Sequence, residues 1–163
     1  MTIPVHRCPL PVSGSLTYTN NMSILSSTNK PSEPRPFQIL LVEDEEALVD
    51  VLTRVLRDAG FIVTTAVDGE RGKVETDRIA FDVIITDLNM PKVRGEKFIG
   101  MMRSATLNKN TPVIVISGHL SPGAVKDLKK NVFRIMVKPF KAEDLVEAVK
   151  ALQQRKRPSA RSA

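Results

Sequence analysis

Apolar residues in this chain gather in short runs, separated by stretches with helical periodicity. Gln38 to Val42 (QILLV) is nearly continuous in apolar character and predicts a strand. Ala47, Leu48, Val51, Leu52, Val55 and Leu56 then recur at helical spacing. Asp44 stands where it can cap that helix, and Gly60 where a left-handed residue can stop it. Phe61 to Ala66 (FIVTTA) is rich in β-branched residues and predicts a second strand. Asp68-Gly69 opens a short helix to about Asp77. Asp82 to Thr86 (DVIIT), with Phe81 just ahead, predicts a third strand. The loop LNMPKVRG leads to a helix over 96–104, and Pro112 to Ser117 (PVIVIS) predicts a fourth strand. Ser121-Pro122 reads as a cap and a first-turn proline, opening a helix to about Lys130. Arg134 to Val137 (RIMV) predicts a fifth strand. A last helix over 142–152 places Leu145, Val146, Val149 and Leu152 on one face.

Strict alternation of five strands and five helices argues for an α/β protein: a doubly wound, five-stranded parallel sheet with helices on both faces. Near-continuous apolar strands fit burial on both sides. Crossovers should be right-handed, and ligands should bind beyond the carboxyl ends of the strands. Standing there are Glu43 and Asp44 after the first strand, Asp87 after the third, Ser117 at the end of the fourth and Lys138 after the fifth. Three carboxylates, one hydroxyl and one ammonium should therefore share one rim.

Composition divides the chain into three parts. Residues 1–36 hold six of the eleven prolines and no apolar periodicity, and 153–163 read QQRKRPSARSA. Both are expected to be disordered tails, because neither can bury enough apolar surface to offset the entropy of ordering. The net charge of +6 belongs to them: 37–152 carries 17 basic and 17 acidic residues. A basic tail can touch nucleic acid, but a solubilising end is the plainer reading, so nucleic acid is not expected as a partner. The single cysteine, Cys8, permits no disulfide framework within one chain. No run approaches the length of a membrane helix and no signal peptide opens the chain, so a soluble, cytoplasmic protein without membrane partners is expected. Met22 offers an alternative start, which leaves open whether residues 1–21 are genuine.

VEDEE, VIITDLNMP, VIVISG and VKPF, in this order at the strand ends, resemble the receiver domain of two-component response regulators over about 116 residues, 37–152. Each motif alone is weak; the ordered set is specific. The resemblance implies a flavodoxin-like fold with strand order 2-1-3-4-5. It implies that Asp87 is the phosphoacceptor and that Glu43, Asp44 and Asp87, with the backbone carbonyl of Asn89, hold Mg2+. By the same resemblance Ser117 meets the phosphoryl group, Lys138 pairs first with the acceptor carboxylate and then with the phosphoryl oxygens, and the Lys138-Pro139 bond is cis. Such a domain is not a classical enzyme, but catalyses its own phosphorylation and dephosphorylation. Its implied partners are a histidine kinase or phosphotransfer protein and an unknown output protein, with the chain a monomer or weak dimer.

The residue types suit that chemistry. Phosphoryl transfer asks mainly for positioning and neutralisation of charge. A carboxylate nucleophile yields an acyl phosphate, and Mg2+ prefers hard oxygen ligands. Plainer readings fit other residues. Glu45 and Glu46 suit a solvated first helical turn, favourable to the helix dipole. Met101-Met102 suits packing. No glycine loop follows the first strand, which argues against a nucleotide or flavin site. His119, two residues beyond Ser117, stands either near the phosphoryl group or as a plain loop histidine.

Three positions depart from the family pattern. Ile135 stands three before Lys138, where an aromatic ring usually tracks activation; Phe133 is a candidate substitute if the strand extends that far. Arg94 replaces a residue that is often acidic, and KNVFRI lacks the usual small-residue turn. An ordinary phosphorylation pocket and an unusual output surface are expected. With no output domain expected after Leu152, the first reading is a stand-alone receiver. The alternatives are a phosphorylation-independent interaction module, a receiver segment of a hybrid sensor kinase, and, more weakly, a nucleic-acid accessory acting through RKRPSAR.

Overall fold

The computed structural model describes residues 35–118, 120, 128 and 132–156. Five strands, β1 (Gln38–Val42), β2 (Ile62–Ala66), β3 (Val83–Asp87), β4 (Val113–Ser117) and β5 (Arg134–Val137), form one parallel sheet in the order β2-β1-β3-β4-β5. Four helices lie among the described residues: α1 (Glu46–Asp58), α2 (Gly69–Arg78), α3 (Gly95–Arg103) and α4 (Ala142–Lys156). This is the doubly wound architecture expected from the alternation, in the order implied by the resemblance. The helix expected over 121–130 lies outside the described residues, apart from buried Leu128. No helix among the described residues is long and apolar enough to cross a membrane.

Side chains on a strand alternate between faces, and the core divides accordingly. Ile39 and Leu41 of β1 pack with Leu52 and Leu56 of α1 and with Leu145 and Val149 of α4. Leu40 and Val42 point the other way, into a cluster with Phe98, Ile99 and Met102 of α3. Both faces of β1, β3 and β4 are covered, which is why their sequences show no alternation.

The helix ends show how local chemistry sets the layout. Gly60 adopts φ +89° and closes α1 in a Schellman arrangement. Its N–H donates to the Arg57 carbonyl at 2.9 Å, and Phe61 N–H donates to Leu56 O at 3.2 Å. At the start of α2, Asp68 Oδ1 accepts the Arg71 N–H at 2.8 Å. The expected cap of α1 is corrected. Glu45, not Asp44, precedes the helix, and it makes no side-chain capping bond. Asp44 stands one residue too early, and its carboxylate is gathered with those of Glu43 and Asp87.

The domain edges drawn at residues 37 and 152 are also shifted. Helix α4 runs on to Lys156, and Arg35 joins the folded body. The cause is Asp82, a buried carboxylate just ahead of β3. It accepts a forked pair from Arg35 at 2.9 and 2.7 Å, the Gln38 N–H at 2.8 Å and Lys156 Nζ at 3.0 Å. Arg155 lies 5.2 Å over the Phe133 ring and adds a second hold on the end of α4. Burial alone would raise the Asp82 carboxyl, but the Gln38 N–H, Lys156 and Arg35 together hold it below the usual aspartate value.

A depressed folded-state pKa stabilises the fold above the unfolded value, and that stability is lost as the pH falls through the folded value. Asp82→Asn is therefore expected to cost about 1–2 kcal/mol near neutrality. The deficit relative to wild type should shrink as the pH falls from the ordinary aspartate range through the depressed value. Urea unfolding across that range checks this, and a deficit that does not change with pH would remove the ion pairs as its cause.

Candidate functional site

Parallel register brings the strand ends level. Val42 lies opposite Thr86, Asp87 opposite Ile116, and Ser117 opposite Val137. Glu43, Asp87, Ser117 and Lys138 consequently stand at one edge of the sheet, although residues 43 and 138 are far apart in the chain. Glu43, Asp44 and Asp87 each offer a carboxylate oxygen, and these oxygens lie within 4.8 Å of one another. Glu43 and Asp87 are buried; Asp44 is exposed.

Lys138 bridges the two buried acids. Its Nζ is 2.7 Å from Asp87 Oδ2 and 3.0 and 3.2 Å from the Glu43 oxygens. Burial alone would lower the Lys138 ammonium, but the bonds to Asp87 and Glu43 outweigh it and raise its pKa. Glu43 moves the opposite way from a typical paired acid: burial raises its carboxyl, and Lys138 does not fully offset this. Three carboxylates against one ammonium leave two formal negative charges in a partly buried space. A hard divalent cation suits that donor set, because it neutralises the excess with the oxygen ligands it prefers.

Asn89 ties the loop after β3 to the site. Its N–H donates to Asp87 Oδ1 at 2.9 Å, and its Nδ2 donates to Ser117 Oγ at 3.1 Å. The Lys138-Pro139 bond is cis, and Lys138 N–H donates to Ser117 O at 2.9 Å. All six residues singled out from the sequence thus stand at the same strand-end rim. His119 lies outside the described residues.

The structure decides whether Phe133 can stand in for the missing ring. β5 begins at Arg134, so Phe133 precedes the strand and its alternation does not apply. Phe133 packs with the cluster of α1 and α4, beneath Arg155. Ile135 packs into the opposite cluster. Phe133 therefore does not take the place of an aromatic residue at 135.

Gly95 is a contributor that the sequence reading passed over. A Cβ there would overlap the Asp87 carbonyl oxygen and stand 2.8 Å from Leu88 Cα. The first turn of α3 can lie against the end of β3 only because residue 95 has no side chain. The available signal was a glycine eight residues after the aspartate, at the start of a helix.

A family model for the response regulator receiver domain matches residues 39–150. The chain belongs to this family. The receiver is 34% identical over 132 residues to the transcriptional regulatory protein PrrA of Mycobacterium leprae, covering 80% of this chain and 54% of that protein. It spans about half the length of the curated relatives it matches. The chemotaxis protein CheY4 of Vibrio cholerae superposes on the receiver with a TM-score of 0.68 at 30% identity, covering 72% of this chain and 98% of that one. The receiver domain of the sensor histidine kinase PA1611 from Pseudomonas aeruginosa, solved with a magnesium ion coordinated in its active site cleft, matches with a TM-score of 0.64 at 26% identity. That match covers 73% of this chain and 96% of the other.

Proposed function

We propose that this receiver accepts a phosphoryl group on Asp87 from a phosphohistidine of a histidine kinase or phosphotransfer protein, and that the modified domain binds an output protein. The observation that carries this reading is the gathering of the Glu43, Asp44 and Asp87 carboxylates, of which Lys138 pairs with Glu43 and Asp87, with Ser117 joined to it through Asn89. An Asp87 carboxylate oxygen attacks phosphorus; a P–O bond forms as the donor's P–N bond breaks, and the imidazole leaves with the electron pair. Glu43, Asp44, Asp87 and the Asn89 carbonyl would hold Mg2+, which when bound neutralises charge on the transferring oxygens.

Lys138 is a point charge on a flexible stem. It leaves the carboxylate oxygen that it pairs with and follows the charge onto the phosphoryl oxygens. The Ser117 hydroxyl, which accepts from Asn89 in this structure, donates to the phosphoryl group once it is in place. Attack of water on phosphorus then releases phosphate and restores the carboxylate.

The test is incorporation of hydroxylamine-labile phosphate from acetyl phosphate. Stoichiometric labelling is expected with Mg2+, and none with excess chelator. Labelling that proceeds equally well in chelator would remove the cation from this reading. Partner binding is checked with beryllofluoride: tighter capture of an output protein is expected, and unchanged capture would favour an interaction module that ignores phosphorylation.

A further inference from the structure

The loop between β3 and α3 is pinned to the start of α2 by groups that the phosphoryl chemistry does not use. Asp68 is 2% exposed, yet both of its oxygens are engaged. Oδ1 accepts the Arg71 N–H, and Oδ2 accepts Lys92 Nζ at 2.7 Å. The hydrogen bond from Lys92, followed by that from Arg71, holds the Asp68 carboxyl below its usual value. Lys92 itself has φ +61°, a left-handed conformation that a residue with a Cβ adopts at a cost.

Beside this pair, Gly69 makes room for the loop. A Cβ at 69 would stand 2.8 Å from Val93 Cγ1 and 2.9 Å from the Val93 carbonyl oxygen. Glycine would satisfy the turn at 92 without strain, but it would supply no ammonium to a buried carboxylate. The strained lysine and the glycine gap together show the loop held from α2 and not by its own turn preference. The same loop carries Asn89, whose N–H and side chain reach Asp87 and Ser117.

We propose that Lys92 is a positioning residue for the cation site: its ion pair with buried Asp68 fixes the 88–95 loop, and so sets where Asn89 stands relative to Asp87. This rests on the phosphoacceptor reading of Asp87. The coupling also makes the start of α2 sensitive to what occupies the site, because one carboxylate both caps that helix and holds the loop.

The experiment is Mg2+ titration calorimetry on the full chain, with amide hydrogen exchange over 88–95 in metal-free protein and thermal unfolding alongside. Lys92→Met, Lys92→Gly and Asp68→Asn are each expected to weaken Mg2+ binding about tenfold, the lower end of what supporting contacts contribute, and to speed exchange over 88–95. Asp68→Asn retains an oxygen able to cap α2. Lys92→Arg should keep near-wild-type affinity. Lys92→Gly should unfold later than Lys92→Met, because both lose the pair to Asp68 but only glycine relieves the strained turn, which separates positioning from stability. Wild-type affinity in Lys92→Met and Lys92→Gly would overturn the proposal, as would a loss confined to Lys92→Met. Asp87→Asn serves as the control: Mg2+ binding that survives it defeats the reading of the site itself. Binding that depends on Asp87 but not on Lys92 defeats only this inference.

Discussion

Asp87→Asn is expected to take up no phosphate from acetyl phosphate in the presence of Mg2+, while retaining the fold. The substitution leaves shape nearly unchanged but replaces the anionic oxygen nucleophile with a neutral amide. The hydrogen bond from Asn89 N–H to Oδ1 can persist, because an amide oxygen also accepts. Toward Lys138 the new NH2 faces a donor, so the 2.7 Å ion pair to Asp87 is lost. Lys138 retains Glu43 at 3.0 Å, which limits the structural consequence. The loss of labelling should therefore be chemical and not a symptom of unfolding. Circular dichroism and thermal unfolding beside the labelling assay distinguish the two. Full hydroxylamine-labile labelling of the variant would move the nucleophile to another carboxylate, with Glu43 and Asp44 the nearest alternatives.

The site was legible in the sequence because parallel strands of similar length end level. Glu43, Asp87, Ser117 and Lys138 each stand at or just past an apolar run, and an apolar run is the strongest signal of a buried strand. Register then does the rest. Contacts that depend on loops left no such signal. Asp68 and Lys92 are 24 positions apart in two irregular segments. Asn108 is another case. It is fully buried, donating to the Thr76 and Ile79 carbonyls and accepting from Phe81 N–H and Thr111 Oγ1, yet in sequence it is one more polar residue in LNKNT. Element ends were misjudged where tertiary contacts outweighed local composition. QQRK reads as a solvated tail, but Lys156 reaches Asp82 and Arg155 covers Phe133, so the helix continues. Phe133 is a related case: it could share the face of Ile135 only if the strand reached it, and β5 starts one residue later.

Gly95→Ala should damage both stability and chemistry, against the ordinary expectation for a glycine in a helix. Replacing a helical glycine with alanine normally stabilises by about 0.4–1 kcal/mol when the backbone conformation allows it. Here the added carbon meets backbone: the Asp87 carbonyl oxygen, Leu88 Cα at 2.8 Å and Asp87 C at 3.0 Å. A flexible side chain could rotate away, but the end of a central strand cannot. Asp87 lies in β3, paired to β4 and followed by a loop whose Gly95 N–H donates to Leu88 O at 3.1 Å. Overpacking against so rigid an obstacle costs about 3 kcal/mol, the upper part of the usual range, and so exceeds the entropic gain. The net loss should be about 2 kcal/mol, read as a lower urea midpoint at unchanged slope. The chemical effect should be larger. The strand end that must yield carries the nucleophile, and a misplacement of about 1 Å can cost on the order of a hundredfold in rate. Labelling from acetyl phosphate should accordingly slow by about that factor in protein that remains folded at the assay temperature. Wild-type labelling rates in a destabilised Gly95→Ala would show that α3 moves and Asp87 does not, and would separate the packing of this helix from the geometry of the acceptor.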